Sequence, residues 1–278
     1  MIIWLASYPK SGNTWVRSLL SAYYYSKDGN FSFELLKNID QYPQKKYFDI
    51  KIDKPGEVNS YWEISQEKII SEKKIKILKT HNSLLALNGK NFTKPEYTLG
   101  IIYVVRDPRN VITSLGHHFS ENIKGAYKFM NTREMLITQS EWGGDNFGIA
   151  TVIGSWSEHY KSWKNLNFAP MITIRYEDLL ADTENTFIKI IEFLSKITDI
   201  KMDKKKIINS INSCSFENLS KKEDTEGFNE QAKSKKDKNK LKFFYLGKKN
   251  NWENLLDQNI EKSLRESFGK EMKELNYI

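Results

Sequence analysis

The stretch SYPKSGNTW, residues 7–15, begins at the end of the apolar run IIWLAS and opens the helix-like run TWVRSLLSAYYY. Polar residues between a strand and a helix are typical of a tight turn whose backbone N–H groups receive a phosphate at the helix N-terminus. Gly12 lets the backbone curl, Thr14 offers a hydroxyl, and Lys10 can reach the charge of a phosphate. The Walker pattern is absent because the lysine precedes the glycine and the loop is short. We therefore predict a phosphate-binding turn of a related but different kind.

Four apolar runs predict strands, namely IIWLAS at 2–7, KIKILK at 74–79, LGIIYVV at 99–105 and MITIRY at 171–176. Helical periodicity lies between or after them, at 14–25, 110–119, 150–163, 183–197 and 259–275. Strands that alternate with helices favour a parallel sheet covered on both faces. Because the chain has no internal repeat and no Pro/Ser linker, we predict one α/β domain over residues 1–278.

Polar residues follow each predicted strand. They are Tyr8-Pro9-Lys10-Ser11-Gly12, Thr80-His81, Arg106-Asp107-Pro108 and Glu177-Asp178. In an open parallel sheet these ends gather at the carboxyl edge, where ligands bind. We therefore expect four segments that are distant in sequence to converge on one site.

The net charge of +8 is local, because residues 233–249 hold eight lysines against the single Asp237 and so carry +7 of it. On composition alone this Lys-rich run predicts a solvated loop. One cysteine, Cys214, excludes an intrachain disulfide and a paired-cysteine metal site, and favours an intracellular protein. The opening MIIWLASY has no basic leader and a short apolar run, so we expect neither a signal peptide nor a membrane span.

Two motifs carry a family resemblance. The loop SYPKSGNTW resembles the 5′-phosphosulfate-binding loop of sulfotransferases that use 3′-phosphoadenosine-5′-phosphosulfate (PAPS), and VVRDPRNVITSL resembles their 3′-phosphate motif. Asp107-Pro108 is a good helix start, so a guanidinium from Arg106 and a hydroxyl from Ser114 can meet a dianionic phosphate. The resemblance implies a P-loop-NTPase-like three-layer α/β fold with a central parallel sheet flanked by helices.

A third motif, ILKTHNSL, is similar to the strand end that carries the general base in the cytosolic-type members. The match implies that Lys79 and His81 are catalytic and that His81 is the base. An imidazole suits the removal of a proton from a hydroxyl. His117 and His118 are rival bases one turn beyond Ser114.

Later motifs occur in family order, namely GSW at 154–156, RYEDLL at 175–180 and SFENL at 215–219. The resemblance implies that Trp15, Tyr176 and Phe216 contact the adenine, whereas the alternative for each aromatic residue is a place in the core. YLGKKNNW at 245–252 resembles the lid R-K-G-x-x-G-x-W, but Tyr245-Leu246 replaces the Arg-Lys pair and Asn250 replaces the second glycine. Lys248 and Lys249 then substitute for the lost 3′-phosphate contacts, or the lid closes through backbone N–H groups near Gly247.

The resemblance implies sulfuryl transfer from PAPS to a hydroxyl or amine of a small organic acceptor, with no metal. The implied catalytic residues are His81, Lys10 and Lys79, and the implied donor ligands are Lys10, Ser11, Gly12, Asn13, Thr14, Trp15, Arg106, Ser114, Tyr176, Phe216, Gly247, Lys248 and Lys249. We expect a cytoplasmic monomer or homodimer that binds neither nucleic acid nor membrane. Segments 40–64 and 119–150 are expected to line the acceptor pocket, where Glu134, Glu141 and Asp145 leave room for a cationic acceptor. An exposed groove for a polysaccharide acceptor is the alternative.

Two rival functions remain at this point. A nucleotide or small-molecule kinase on a related fold would require ATP and a metal, and a basic nucleic-acid-binding protein would need a basic face outside 233–249. The remaining 261 residues carry only +1, which argues against nucleic acid. A melting shift with adenosine 3′,5′-bisphosphate but none with ATP–Mg²⁺ would separate the sulfotransferase from the kinase.

Overall fold

The structure, a computed structural model, describes residues 1–52, 54–134, 136–138 and 149–278. The strands are β1 (Ile2–Ser7), β2 (Lys76–Thr80), β3 (Thr98–Val105), β4 (Leu136–Thr138), β5 (Ala150–Val152) and β6 (Met171–Arg175). The α-helices are α1 (Asn13–Tyr25), α2 (Trp62–Ser71), α3 (Pro108–Phe119), α4 (Ile123–Asn131), α5 (Trp156–Lys164), α6 (Tyr176–Ala181), α7 (Thr183–Ile197), α8 (Lys204–Ser213), α9 (Phe216–Glu226), α10 (Trp252–Leu255) and α11 (Gln258–Glu274). Short 3₁₀ helices span Phe33–Asn38, Lys45–Tyr47, Pro55–Tyr61 and Gly247–Lys249.

The chain divides into two compact units. Unit 1 comprises Met1–Tyr8, Ile39–Val105 and Thr132–Ile174, and unit 2 comprises Pro9–Asn38, Arg106–Asn131 and Arg175–Ile278. The prediction of a single domain over 1–278 stays a prediction.

The central sheet of unit 1 has the strand order β2-β1-β3-β6. β1 pairs in parallel with both neighbours, so that Trp4 lies opposite Leu78 of β2 and Ile101 of β3. All six residues of β1 are buried, as expected for an apolar strand in the middle of a parallel sheet. The four apolar runs read from the sequence are therefore the four strands of this sheet, with ends that shift by at most two residues.

Aromatic side chains cover one face of the sheet within unit 1. Trp4 of β1 lies 5.0 Å from Phe92 between ring centroids, and Tyr103 of β3 lies 6.3 Å from Trp163 of α5. Both tryptophans are fully buried, and large buried rings supply much of the apolar area that stabilises such a core. The predicted α/β class with a parallel sheet and packed helices is confirmed.

One predicted helix, over 150–163, is wrong in its first part. Residues Ala150–Val152 form β5, which pairs antiparallel with β4, and α5 begins only at Trp156. Gly154 has a φ of 70°, which interrupts a helix. Ser155 then caps α5 in a capping box with Glu158, so the helix has a defined start.

Unit 2 holds α1 and most of the other helices. Its helix α3 begins two residues earlier than periodicity predicts, because Asp107 caps it and Pro108 fits the first turn. Among the described residues, none of the helices combines the length and the apolar character that crossing a bilayer demands.

Candidate functional site

The turn between β1 and α1 has the backbone conformation of an anion-binding loop. Lys10 and Gly12 both lie in the left-handed region, with φ of 65° and 98°. Helix α1 begins at Asn13, and no side chain caps its N-terminus at Gly12. The N–H groups of its first turn therefore point out of the helix, at the positive end of its dipole, as anion binding requires. The predicted strand, turn and helix are present in this order.

Tyr176 packs directly on this turn. A Cβ atom built on Gly12 would lie 2.4 Å from Tyr176 Cδ2, so only glycine permits the contact. Trp15 meets the same ring edge-on at 5.7 Å and donates from Nε1 to the Cys214 carbonyl at 2.9 Å. Two of the aromatic residues expected at the adenine therefore lie together in unit 2.

Arg106 joins the turn to helix α3. Its Nη1 donates to the Lys10 carbonyl at 3.2 Å and to Ser114 Oγ at 3.3 Å, and its guanidinium lies 4.1 Å from the centre of the Tyr176 ring. The backbone N–H of Asp107 donates to Glu177 at 3.0 Å. Three of the four segments expected to converge, those that follow β1, β3 and β6, thus meet in unit 2, whereas the fourth, Thr80-His81, belongs to unit 1.

Two buried polar atoms of this cluster make no hydrogen bond within the described part of the chain. They are Ser11 Oγ and Arg106 Nε. Burying such groups without a partner costs about 1–3 kcal/mol each. Their presence in the turn and beside it is physically consistent with an anionic ligand that accepts from both.

Asn250, read from the sequence only as a departure from the lid pattern, lies inside this cluster. Its Nδ2 donates to Ser114 Oγ at 3.0 Å and to the Asn110 carbonyl at 2.9 Å, and its Oδ1 accepts from Thr113 at 2.5 Å. Ser114 therefore accepts from both Arg106 and Asn250, so its hydroxyl hydrogen is directed elsewhere and can be donated to a ligand.

The other lid residues lie beside Phe216. Gly247 has a φ of 53°, which other residues rarely adopt, and a Cβ atom there would lie 2.6 Å from Phe216 Cε1. Both the backbone conformation and the close contact therefore require glycine. Lys248 and Lys249 complete a 3₁₀ turn and are both exposed. Phe216 and Gly247 are therefore brought together, whereas the two lysine side chains extend into solvent.

Residues 227–246, which we call the strap, contact the same region of unit 2. Glu230 of the strap accepts from Thr14 Oγ1 at 3.2 Å and from Arg17 at 2.5 Å. The Lys10 ammonium lies 3.9 Å from the centre of the Phe243 ring. Two of the predicted phosphate ligands, Lys10 and Thr14, are thus in contact with strap side chains.

The strap is anchored by a buried carboxylate that sequence reasoning missed. Glu223 of α9 is only 3% exposed and accepts from the backbone N–H groups of Phe243 and Phe244 at 2.5 and 2.8 Å. It also accepts from Gln231 at 2.7 Å. A glutamate on a polar helix gives no sequence signal for this role, because its partners are 8 to 21 residues away.

The Lys-rich run is partly neutralised by acidic residues of unit 2. Lys242 pairs with Asp224 at 2.7 Å, and Lys235 pairs with Glu121. The rival base His117 donates from Nε2 to the Lys242 carbonyl at 2.9 Å and stacks on Tyr245 at 3.9 Å. His118 lies edge-on to Phe119 at 5.0 Å. His117 is therefore tied to the strap through its ring.

His81 lies in unit 1, just beyond β2, and contacts the last residue of β1. Its Nδ1 is 2.8 Å from the Ser7 carbonyl oxygen and 3.2 Å from Ser7 Oγ. A carbonyl oxygen only accepts, so Nδ1 carries the hydrogen and the lone pair of the neutral ring is on Nε2. Lys79 is 4% exposed on the same strand, two residues before His81. The histidine thus has the tautomer that a base needs.

A buried histidine for which the sequence predicted no role contacts the backbone of this segment. His159 of α5 is fully buried, and burial lowers its pKa from 6.5 to about 3. Its Nε2 is 3.1 Å from the His81 carbonyl oxygen, and its Nδ1 is 2.9 Å from the Tyr103 hydroxyl. His159 lies three residues after Trp156 and four before Trp163, and this helical spacing with two buried tryptophans could have indicated a buried position.

Three acidic residues were expected near the acceptor. Glu134 is exposed, whereas Glu141 and Asp145 lie outside the described residues. Within the described ranges, no three His, Cys, Asp or Glu side chains are grouped so that they could hold a metal ion.

Comparison with known proteins gives a consistent result. The family model described as the sulfotransferase domain matches residues 2–276. The amine sulfotransferase of Oryctolagus cuniculus is 26% identical over 78% of this chain, and the match spans 62% of that protein's length. Sulfotransferase 1 family member D1 of Mus musculus is 25% identical over 98% of this chain and 83% of that protein.

A solved structure agrees in fold. Mouse sulfotransferase SULT7A1 complexed with PAP superposes with a TM-score of 0.58 and 18% identity, covering 97% of this chain and 84% of that one. At this identity the likeness shows the fold, and it confirms the predicted P-loop-NTPase-like α/β class.

Proposed function

The chain belongs to the sulfotransferase domain family, and we propose that it transfers a sulfuryl group from PAPS to a hydroxyl or amine of a small organic acceptor. The second product is adenosine 3′,5′-bisphosphate (PAP). PAPS supplies an activated sulfuryl group on its 5′-phosphate. Everything else in the reaction is binding, orientation, proton removal and charge stabilisation by residues of this chain.

One observation carries the proposal. Two buried polar atoms without a partner among the described residues, Ser11 Oγ and Arg106 Nε, belong to one cluster of unit 2 that also contains an uncapped helix N-terminus. A donor with phosphate at both its 5′ and its 3′ position would accept from the turn Lys10–Thr14 and from Arg106 with Ser114. The distance of 3.2 Å from Arg106 Nη1 to the Lys10 carbonyl ties these two groups together.

The aromatic residues Trp15, Tyr176 and Phe216 are the proposed adenine contacts, and Gly247 brings the lid against Phe216. Lys248 and Lys249 add positive potential toward a polyanionic donor. Asn13 belongs to the first turn of α1 and contributes its backbone N–H to the 5′-phosphosulfate. A single sulfotransferase domain over residues 1–278 is part of the same proposal.

His81 is the proposed base. Its Nε2 accepts the proton of the acceptor hydroxyl as the new bond from oxygen to sulfur forms. The bond from sulfur to the bridging oxygen breaks, and the ammonium of Lys10 stabilises the negative charge that collects on this oxygen. Lys79 supports the same charge. Because a transferring sulfuryl group carries less charge than a phosphoryl group, we propose that the reaction needs no metal.

The acceptor is a small organic molecule in this proposal. Tyr, Trp, Phe and Met side chains in segments 40–64 and 119–150 suit such a ligand, and we place the protein in the cytoplasm as a monomer or homodimer that binds neither nucleic acid nor membrane. The single cysteine fits a reducing compartment.

Ligand-induced melting shifts test the class of enzyme. PAP is expected to raise Tm, by a few degrees at a hundredfold excess over Kd, whereas ATP with Mg²⁺ leaves Tm unchanged. Transfer of ³⁵S from labelled PAPS to a panel of phenols, alcohols and amines then identifies the acceptor. A shift with ATP–Mg²⁺ and none with PAP would overturn the proposal in favour of a kinase.

A further inference from the structure

We propose that His159 is a positioning residue that holds His81 in place for proton removal. The proposal rests on the proposed function in one respect, the use of His81 as the base. The geometry itself lies entirely within unit 1 and involves no ligand.

A chain of hydrogen bonds runs from the sheet to the base. The His81 carbonyl only accepts, so His159 Nε2 carries a hydrogen and donates to it at 3.1 Å. His159 Nδ1 then has the lone pair and accepts from the Tyr103 hydroxyl at 2.9 Å. Tyr103 is a residue of the central strand β3 and is 1% exposed, so the far end of the chain is fixed in the core. Both nitrogens of His159 are thereby assigned, and its tautomer is set by its neighbours.

Burial keeps this arrangement in one state. His159 is fully buried among aromatic rings, with Tyr8 edge-on at 5.5 Å and Tyr103 at 5.8 Å. Desolvation lowers its pKa to about 3, so the ring stays neutral at neutral pH. Because the ring is neutral, donation from Nε2 to the His81 carbonyl leaves Nδ1 as the acceptor of the Tyr103 hydroxyl.

One face of helix α5 makes hydrogen bonds to the backbone of the segment that follows β2, residues 81–84. His159, Ser162 and Trp163 are three and four residues apart and so lie on the same side of the helix. Ser162 Oγ accepts from the Leu84 N–H at 3.0 Å, and Trp163 Nε1 donates to the Asn82 carbonyl at 3.0 Å. His159 is the member of this face that bonds to the residue carrying the base.

The position of the His81 backbone determines the position of its imidazole ring. Its ring is aligned by the bond from Nδ1 to the Ser7 carbonyl, at 2.8 Å. If the backbone of His81 moves, this bond lengthens and the ring loses the Nδ1–H tautomer. A displacement of about 1 Å can lower the rate of a positioned reaction on the order of a hundredfold.

Imidazole ¹⁵N–¹H correlation spectra test the positioning without any substrate, since the chain has only four histidines. In the unmodified protein we expect His81 as a single Nδ1–H tautomer. His159→Phe keeps the ring volume but removes the donor, and is expected to give averaged nitrogen shifts for His81. His159→Gln retains a donor and should restore part of the single-tautomer signal. Lys161→Gln, a control on the exposed face of the same helix, should leave the His81 spectra unchanged.

Kinetics add the second readout. His159→Phe should lower kcat by up to about a hundredfold while the KM for PAPS stays within about twofold, and His159→Gln should recover part of kcat. Tyr103→Phe should cause a smaller loss that does not add to that of His159→Phe, because both act through one chain of bonds. If His159→Phe does not fold, Tyr103→Phe alone carries the test.

Unchanged His81 spectra in the folded variants, or additive losses in the double variant, would overturn the positioning role. An unmodified protein that binds no PAP and transfers no sulfuryl group would instead remove the proposed function, while the spectra would still decide the role of His159.

Discussion

His81 is the residue on which the proposed chemistry depends most. Its Nδ1 hydrogen is committed to the Ser7 carbonyl, so the ring presents Nε2 as an acceptor. The rival His117 has its Nε2 committed to the Lys242 carbonyl. At the residue scale the structure therefore distinguishes the two histidines by tautomer.

We predict that His81→Ala lowers kcat by about a hundredfold or more, because a positioned general base contributes about that much. Donor affinity should stay near that of the unmodified protein, since His81 makes no proposed contact to PAPS. Steady-state transfer of ³⁵S with PAP titration by calorimetry measures both quantities, with His118→Ala as the control. Full activity in His81→Ala would return the role to His117, His118 or a carboxylate.

Alanine variants of Arg106 and Lys10 are predicted to differ, because one should lose nucleotide affinity and the other turnover. Arg106→Ala should weaken both PAPS and PAP by at least about tenfold, because a charge-assisted bond to the 3′-phosphate exists before and after transfer. Lys10→Ala should chiefly lower kcat, because the charge it faces grows in the transition state. Binding and single-turnover experiments separate these effects. Equal losses of affinity alone in both variants would contradict the assigned roles.

Asn250 is predicted to determine the response to the 3′-phosphate. Asn250→Asp keeps the shape but replaces the amide donor to Ser114 with a negative charge, so PAP affinity should fall by about tenfold or more. Adenosine 5′-phosphosulfate, which lacks the 3′-phosphate, should bind equally to both proteins. Calorimetric titration of the two nucleotides is the measurement, and parallel losses for both would show that the variant merely disturbs the fold.

At the scale of elements, the strap and the lid lie against residues that are proposed to bind the donor. The strap contributes Glu230 to Thr14 and Phe243 to Lys10, and Glu223 holds it by its backbone. Helix α5 plays the corresponding part in unit 1, where one face fixes the segment after β2. Both elements act through hydrogen bonds to backbone groups, which set positions more sharply than apolar contacts do.

The two exposed lid lysines give a prediction at this scale. Lys248→Gln combined with Lys249→Gln should weaken PAP binding several-fold at low salt and flatten its dependence on ionic strength, because exposed charges act at a distance that salt screens. Titrations at about 20 and 300 mM NaCl test this, since the Debye length shortens between them. Lys262→Gln combined with Lys270→Gln, which changes the same charge on α11, is the control. Normal binding at every salt concentration would favour closure through backbone N–H groups near Gly247.

For the whole molecule, His159 links folding to pH. Its pKa is about 3 in the folded state and 6.5 in its ordinary state, so below pH 6.5 the unfolded chain binds a proton that the folded chain does not. Stability therefore falls as pH decreases from 6.5 toward 3, with a slope from this group of about 1.4 kcal/mol per pH unit.

The difference between two proteins isolates this contribution. Urea unfolding at pH 7.5, 5.5 and 4.5 should show that the unmodified protein loses more stability than His159→Gln, whose side chain does not titrate. Identical pH dependence in both proteins would show that another group governs acid stability.

The sequence by itself determined the strands of the central sheet and the turn that leads from β1 into α1. Apolar runs of six or seven residues and the Pro-Lys-Ser-Gly turn are local signals, so β1, β3 and the start of α1 were predicted almost to the residue. The contact between Arg106 and Ser114 is also local, because eight residues separate them across one helix start, and their role as 3′-phosphate ligands, which the resemblance implies, stays a prediction. The helix predicted over 150–163 was wrong at its start, because three β-branched or small residues before Gly154 pair with β4 instead.

Only the tertiary structure decided how these residues are supported. Asn250 lies 136 residues from Ser114, Glu223 holds backbone groups 20 and 21 residues away, and His159 lies 78 residues from His81. A hydrogen bond between distant residues leaves no periodicity in either segment, and a backbone acceptor has no side-chain identity to read. Local patterns in the sequence therefore predict strands, turns and helix starts, whereas the long-range hydrogen bonds that hold them in place are known only from the tertiary structure.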